Sequence, residues 1–204
     1  YADVVRRPHL PADQVEDARM VCIQEIRSIE DELAQKVFQQ LRLLQYGAPF
    51  GRSSPGTLDS VQATSLDDIR QYVETTFHPN QAIIGVAGRF DWPQLRDHVA
   101  GLFEDWQQQP PPSYEEIEPT ERTCHFPHDS TQTHIGVGYA NVPYAHPDYY
   151  RARAAVGVLS DGMSSRLFTE VRENRGLCYA VHAGCHSLRD RGSVLCYAGT
   201  TTER

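Results

Sequence analysis

Residues 107–122, QQQPPPSYEEIEPTER, constrain the chain more than any other stretch, because Pro, Gln and Glu dominate and almost nothing in it can be buried. A domain boundary falls there, so the hydrophobic interior has to be built in two pieces, residues 1–106 and 123–204, joined by 107–122 as a Pro/Glu-rich linker. With 204 residues, 40% of them hydrophobic, there is enough apolar side chain for one sizeable core or two smaller ones.

Within the first piece, apolar positions between residue 13 and about 46 recur at Val15, Cys22, Ile26, Ile29, Leu33, Val37, Leu41 and Leu44. That spacing predicts one long helix with a single buried stripe. Gly47 and Pro49 end it, and GAPFGRSSPGT follows as a loop of small residues. Ser65, Asp67 and Asp68 open a short helix that runs to near Phe77. The run AIIGVAG, residues 82–88, predicts a buried strand, and DWPQLRDHVAGLFE returns to helical spacing. In the second piece HIGVGYANV alternates like a strand and DYYRARAAVGVLSD and SSRLFTEVREN are helical, while CYAVHAGCHS and GSVLCYAGTT read as two strands. Helices and strands mix without regular alternation, so the fold class is α+β.

Charge excludes some functions. A formal net charge of -8, with no basic patch, leaves nothing to offset repulsion from phosphates, so unspecific nucleic-acid binding is set aside. No apolar run approaches the roughly 20 residues that span a bilayer. The first residues, YADVVRRPHLPADQVEDARM, lack the pattern of a secretory leader and read as a chain entered midway. Five cysteines at irregular spacing, with no CxxC pair, are expected as reduced thiols in a cytoplasmic setting.

Three residues could carry chemistry. Glu25 lies on the first helix about 90° from the centre of the apolar stripe, beside the core, where an anionic oxygen can bind a metal or simply meet solvent. Arg172 and Tyr179, in VRENRGLCYAV, flank the Gly176 turn. Both can donate hydrogen bonds to a carbonyl oxygen or an oxyanion; the plainer alternative is an ion-paired Arg and a core aromatic. His182 and His186 lie in a predicted strand, whose rise sets them about 13 Å apart, too far to share an ion. His125 and His128 flank Pro127 and are expected at the surface or core edge. No HxxEH helix, Walker loop or GxSxG occurs, and Cys178 has no evident base.

The stretch SDGMSSRLFTEVRENRGLCYAV closely resembles the second-domain signature of the insulinase/pitrilysin family, which includes the mitochondrial processing peptidases and their bacterial relatives. Upstream, ARMVCIQEIRSIED is similar to the segment holding that family's third zinc ligand. PFGRSSPGT and LDDIRQYVETTFHPNQAIIGVAGRFD keep the family's order, so the resemblance spans nearly the whole chain.

The resemblance implies two partial processing-peptidase-like domains, each an antiparallel or mixed sheet with helices packed on one face. It implies zinc as cofactor, Glu25 as one ligand, and Arg172 and Tyr179 as the pair that holds substrate carbonyls. In the intact parent, zinc-activated water would attack a peptide bond of a short or unfolded polypeptide, and in relatives the substrate strand adds to a sheet edge. The family's HxxEH helix lies further upstream than the 24 residues ahead of Glu25, so this chain is expected to be inactive without the rest of its parent or a homologous subunit. Two positions depart from the family. Ala18 stands where a second acid is frequent, and Asp161 stands where a glycine is common, although Asp accepts a left-handed conformation and the turn is expected to survive. The alternative is a non-catalytic scaffold or partner subunit of the same family.

Overall fold

The computed structural model of the protein describes residues 1–80, 82–110 and 113–202. Pro111 and Pro112, at the centre of the expected linker, lie outside the described residues. The chain forms two compact units, one of residues 1–23 and 57–114, the other of residues 24–56 and 115–204.

The first unit is helical. It holds α1 (Ala2–Arg6), a 3-10 turn (Ala12–Gln14), the start of α2 (Val15–Asp31), α4 (Leu58–Ala63), α5 (Leu66–Thr76) and α6 (Trp92–Phe103). Thr57 and Ser65 each close a capping box, with Ser60 and Asp68 respectively, and Asp91 caps α6 through the Gln94 N–H. Each cap satisfies a backbone donor that a helix start leaves open. Arginines satisfy open carbonyl acceptors at helix ends: Arg19 donates to the Val61 and Gln62 carbonyls at 2.6 and 2.7 Å, and Arg6 to that of Leu102 at 2.6 Å. The strand expected over 82–88 does not form. Its described residues are irregular and Ile83 is 94% exposed, because no strand among the described residues of this unit offers the backbone partners a sheet requires.

The second unit is α+β. α3 (Leu33–Tyr46) and α7 (Tyr149–Ser160) pack on an antiparallel sheet of β1 (Gln132–Asn141), β2 (Ala180–Ser187) and β3 (Gly192–Thr201), in the order β1-β3-β2. The expected long helix is thus two helices, broken at Glu32, whose φ of -89° and ψ of 82° leave helical space. The core sits on central β3, where Ser193, Val194, Leu195 and Tyr197 are all buried. α3 crosses β1 and β3 closely because β1 carries glycine at the crossing. A Cβ at Gly136 would stand 2.6 Å from Val37 Cγ1, and one at Gly138 would stand 3.1 Å from a Leu41 methyl. At the far end of α3, buried Tyr46 donates to the His186 carbonyl at 2.7 Å and packs at a tilt against the His186 ring. Ala48 and Ile117 exchange two backbone hydrogen bonds, and Arg191 pairs with Glu116, so the last residues of 107–122 are anchored.

Candidate functional site

The segment from α7 to β2 positions both expected carbonyl donors. After Ser160 the chain turns at Asp161 and Gly162. The left-handed conformation falls on Gly162, at φ 87°, while Asp161 stays extended at φ -110°, so the Asp needs no left-handed backbone. The following SSRLFTEVREN is helical as expected, but over Phe168–Asn174 it widens into a π-helix. It ends in a Schellman-type turn: Gly176, at φ 59°, donates to the Arg172 carbonyl and Leu177 to Val171. Tyr179 then joins the sheet, its N–H donating to the Gly199 carbonyl at 3.0 Å.

Arg172 stands near the end of the π-helix, its side chain 44% exposed, 3.7 Å from Glu173 and stacked 4.7 Å over the Phe168 ring. Tyr179 is 44% exposed, and its hydroxyl donates to the side-chain carbonyl of Gln132 at 2.9 Å. Behind it lies a polar layer. The buried Tyr197 hydroxyl is 2.8 Å from His134 Nδ1, and burial pushes the Tyr197 phenol well above its ordinary range. Burial pushes His134 down, favouring the neutral ring. Gly199 makes room for this layer, since a Cβ there would meet the Tyr179 hydroxyl at 2.6 Å and that of Tyr197 at 2.8 Å. Gln132 and His134 also line a cavity of about 830 Å³, bounded by α3 and residues 122–128.

Glu25 is exposed on α2 between buried Ile23 and Ile26, beside the core and facing solvent. Among the described residues no hydrogen bond or ion pair joins Glu25, Arg172 and Tyr179 to one another. Zinc takes four ligands in a structural site and three protein ligands in a catalytic one. One carboxylate is too few, and no group of three or more His, Cys, Asp or Glu among the described residues could hold an ion. The described residues therefore do not by themselves make a zinc site. On β2, His182 lies opposite Tyr197 of β3 and His186 opposite Ser193, with His182 5.3 Å from the Phe38 ring and His186 5.3 Å from that of Tyr46.

Sequence reading singles out Arg172 and Tyr179 and gives no hint of Gln132, His134, Tyr197 and Gly199, which the structure places around Tyr179. These meet only through the register of β3, which sets His134 opposite Gly199 on one side and Ala180 opposite Gly199 on the other. A partner 63 residues away leaves no local signal.

A family model described as the Peptidase M16 inactive domain matches residues 63–204. An uncharacterized zinc protease of Mycobacterium leprae is 28% identical over 204 residues, 97% of this chain and 46% of that protein. The solved peptidase M16 inactive domain from Pseudomonas fluorescens shares the fold at a TM-score of 0.86 and 22% identity, covering 99% of this chain and 50% of that one. A protease from Helicobacter pylori does so at 0.84 and 22%, covering 94% and 48%. The chain spans about half the length of these relatives. A family match over the larger part of the chain, together with the signature around Arg172 and Tyr179, establishes that the chain belongs to the insulinase/pitrilysin (M16) family of zinc peptidases.

Proposed function

We propose that this chain is part of a zinc metalloendopeptidase that hydrolyses peptide bonds of short or unfolded polypeptides, and that Arg172 and Tyr179 bind the substrate carbonyl or the oxyanion that develops from it. The observation that carries this reading is the Tyr179 hydroxyl, half exposed and donating to a carboxamide oxygen. That acceptor is the same chemical group as a peptide carbonyl. A guanidinium and a phenol placed before reaction cost little reorganisation when charge builds on that oxygen. Glu25 supplies one metal ligand, and the remaining ligands belong to the rest of the parent chain or to a homologous subunit. No step through the metal is drawn from these residues.

The test uses the full-length parent and an unfolded polypeptide substrate. Hydrolysis is expected to be lost on chelation and restored by zinc. Tyr179→Phe and Arg172→Ala are each expected to lower kcat/KM by roughly a hundredfold, and unchanged kinetics in both would sink the assignment. Ala18, in place of the acid common in relatives, favours a second reading, a non-catalytic partner subunit. That reading requires a full-length chain with no HxxEH upstream of Glu25 and no hydrolysis of its own.

A further inference from the structure

We infer that the free edge of β1 pairs with residues 82–88 of a second copy of this chain, one copy supplying the sheet edge and the other the strand that extends it. The inference is independent of the peptidase reading and of Arg172 and Tyr179.

The ladder shows which backbone groups are open. Just outside the pair Gln132 and Thr201, the Thr202 N–H donates to the Thr131 carbonyl at 3.2 Å, which marks a hydrogen-bonded pair. Such pairs alternate with unbonded ones along an antiparallel ladder. Thr133, Ile135, Val137, Tyr139 and Asn141 therefore bond to β3, and the backbone groups of Gln132, His134, Gly136, Gly138 and Ala140 point away from it. Ser130 Oγ accepts the Gln132 N–H at 3.1 Å, while the amides of His134, Gly136, Gly138 and Ala140 have no protein partner among the described residues. A cavity of about 830 Å³ lies beside them, lined by Thr133, His134, Gly136, Val137 and Gly138, with α3 as a further wall. The other edge of the sheet is better closed. Leu188 bonds to the Arg191 carbonyl just beyond the pair Ser187 and Gly192, so the Ala183 N–H points outward there, and Ser160 at the end of α7 accepts it at 2.7 Å.

Proteins guard exposed edges with charge, proline, a bulge or a covering segment. β1 has none of the first three: QTHIGVGYAN holds no Lys, Arg, Asp, Glu or Pro, and its register with β3 runs unbroken. Its Ile135, Val137 and Tyr139 share one face and are each about half exposed. An occupant has to bring backbone partners without bringing charge. Residues 82–88, AIIGVAG, lie in the longest run free of charge and proline among the described residues outside helices and strands. Of their backbone groups only the Ala82 N–H is bonded among the described residues, to the Pro79 carbonyl, and Ile83, Ile84 and Val86 are exposed. In an extended strand Ile84 and Val86 share a face. Laid beside β1 they meet Ile135, Val137 and Tyr139, and Gly85 falls on the α3 side, where Gly136 and Gly138 already leave no space for a side chain. Neutral strand thus meets neutral edge, and the seam buries no charge although each copy carries a net charge of -8.

The experiment is size-exclusion chromatography with light scattering on the 204-residue chain, joined to amide exchange by NMR. The mass is expected to rise with concentration from one chain to at least two, and the amides of His134, Gly136 and Gly138 to exchange severalfold more slowly in the associated state. Ile84→Lys changes an exposed, unbonded position and should hold the mass at one chain. Ala140→Pro should do the same, because it removes an outward N–H and spares the ladder to β3; Ala140→Lys keeps the backbone and charges the edge should the proline unfold β1. A mixture of the strand variant with the edge variant restores one intact seam and should run as a pair. Salt screens the repulsion between two acidic copies, so it should raise the associated fraction. A single-chain mass for the wild type at every concentration overturns the inference. So does association that survives Ile84→Lys, the result expected if β1 pairs with β1 or the apolar faces merely stick, and so does a mixture that stays unpaired or a fraction that falls with salt.

Discussion

At the scale of the residue, the second unit is held by a few side chains that do two things at once. Tyr46 fills the end of α3 against the sheet and also satisfies the His186 carbonyl and the hydroxyl of Ser193, which is fully buried. Tyr46→Phe removes one oxygen and leaves buried partners unpaired, a loss of about 1–3 kcal/mol. Urea unfolding should show a lower midpoint with an unchanged slope, and an unchanged midpoint would mean that water replaces the phenol. Gly136 tests the opposite error. Its Cβ position lies 2.6 Å from Val37 Cγ1, so Gly136→Val overpacks the crossing of α3 and β1 and should cost about 1–3 kcal/mol by the same measurement. Trimming the opposing residue, Val37→Ala, should recover part of that loss. Of the residues in the candidate site, Arg172 and Tyr179 were legible because a contiguous segment carries both. Glu25 was legible as a position on a helix, while its exposure was decided by what packs beside it.

At the scale of the element, spacing located α2, α5, α6 and α7 but neither α1 nor α4, and local start chemistry was read for α5 alone. Ser65 with Asp67 and Asp68 forecast α5, and the capping box is there. Ser65→Ala should cost about 1 kcal/mol and speed amide exchange across Leu66–Thr76, with little change in β3; uniform acceleration would show that the cap stabilises more than its own helix. Two elements depart from the sequence reading for physical reasons. The apolar stripe from Val15 to Leu44 runs unbroken in sequence, yet the helix breaks at Glu32. Periodicity reports which face is apolar and does not require a single straight axis. The run 82–88 has strand composition, but β propensity describes fitness for a pleated surface and supplies no partner. Without one, Ile83 and Ile84 remain exposed.

At the scale of the whole molecule, stability is expected to fall in acid. Burial lowers His134, His182 and His186, with Arg42 adding to the effect at His186, so the folded state favours their neutral forms. The unfolded chain protonates first as pH drops through about 6.5, and folding weakens from there toward the lower folded-state values. Asp68, lowered by its bonds with Ser65, and Asp105, lowered by Arg6, act in the same sense further down, where protonation removes those contacts. Thermal unfolding from pH 7.5 to 5 should show a falling Tm, with a shallower slope in His182→Phe; a flat profile would mean the rings are solvated. Amide exchange should be slowest in β3, where the core sits, and faster in α4, α5 and α6, which bury no residue. The sequence by itself determined the fold class, the helices α2, α5, α6 and α7, the three strands of the sheet, and the helix–turn–strand segment bearing Arg172 and Tyr179, because each depends on residues within a few positions of one another. Tertiary structure alone decided which strand lies in the middle, that residues 24–56 join the second unit, and that His134, Tyr197 and Gln132 gather behind Tyr179. Strand register and helix crossing bring together groups far apart along the chain, and no local pattern of side chains encodes that meeting.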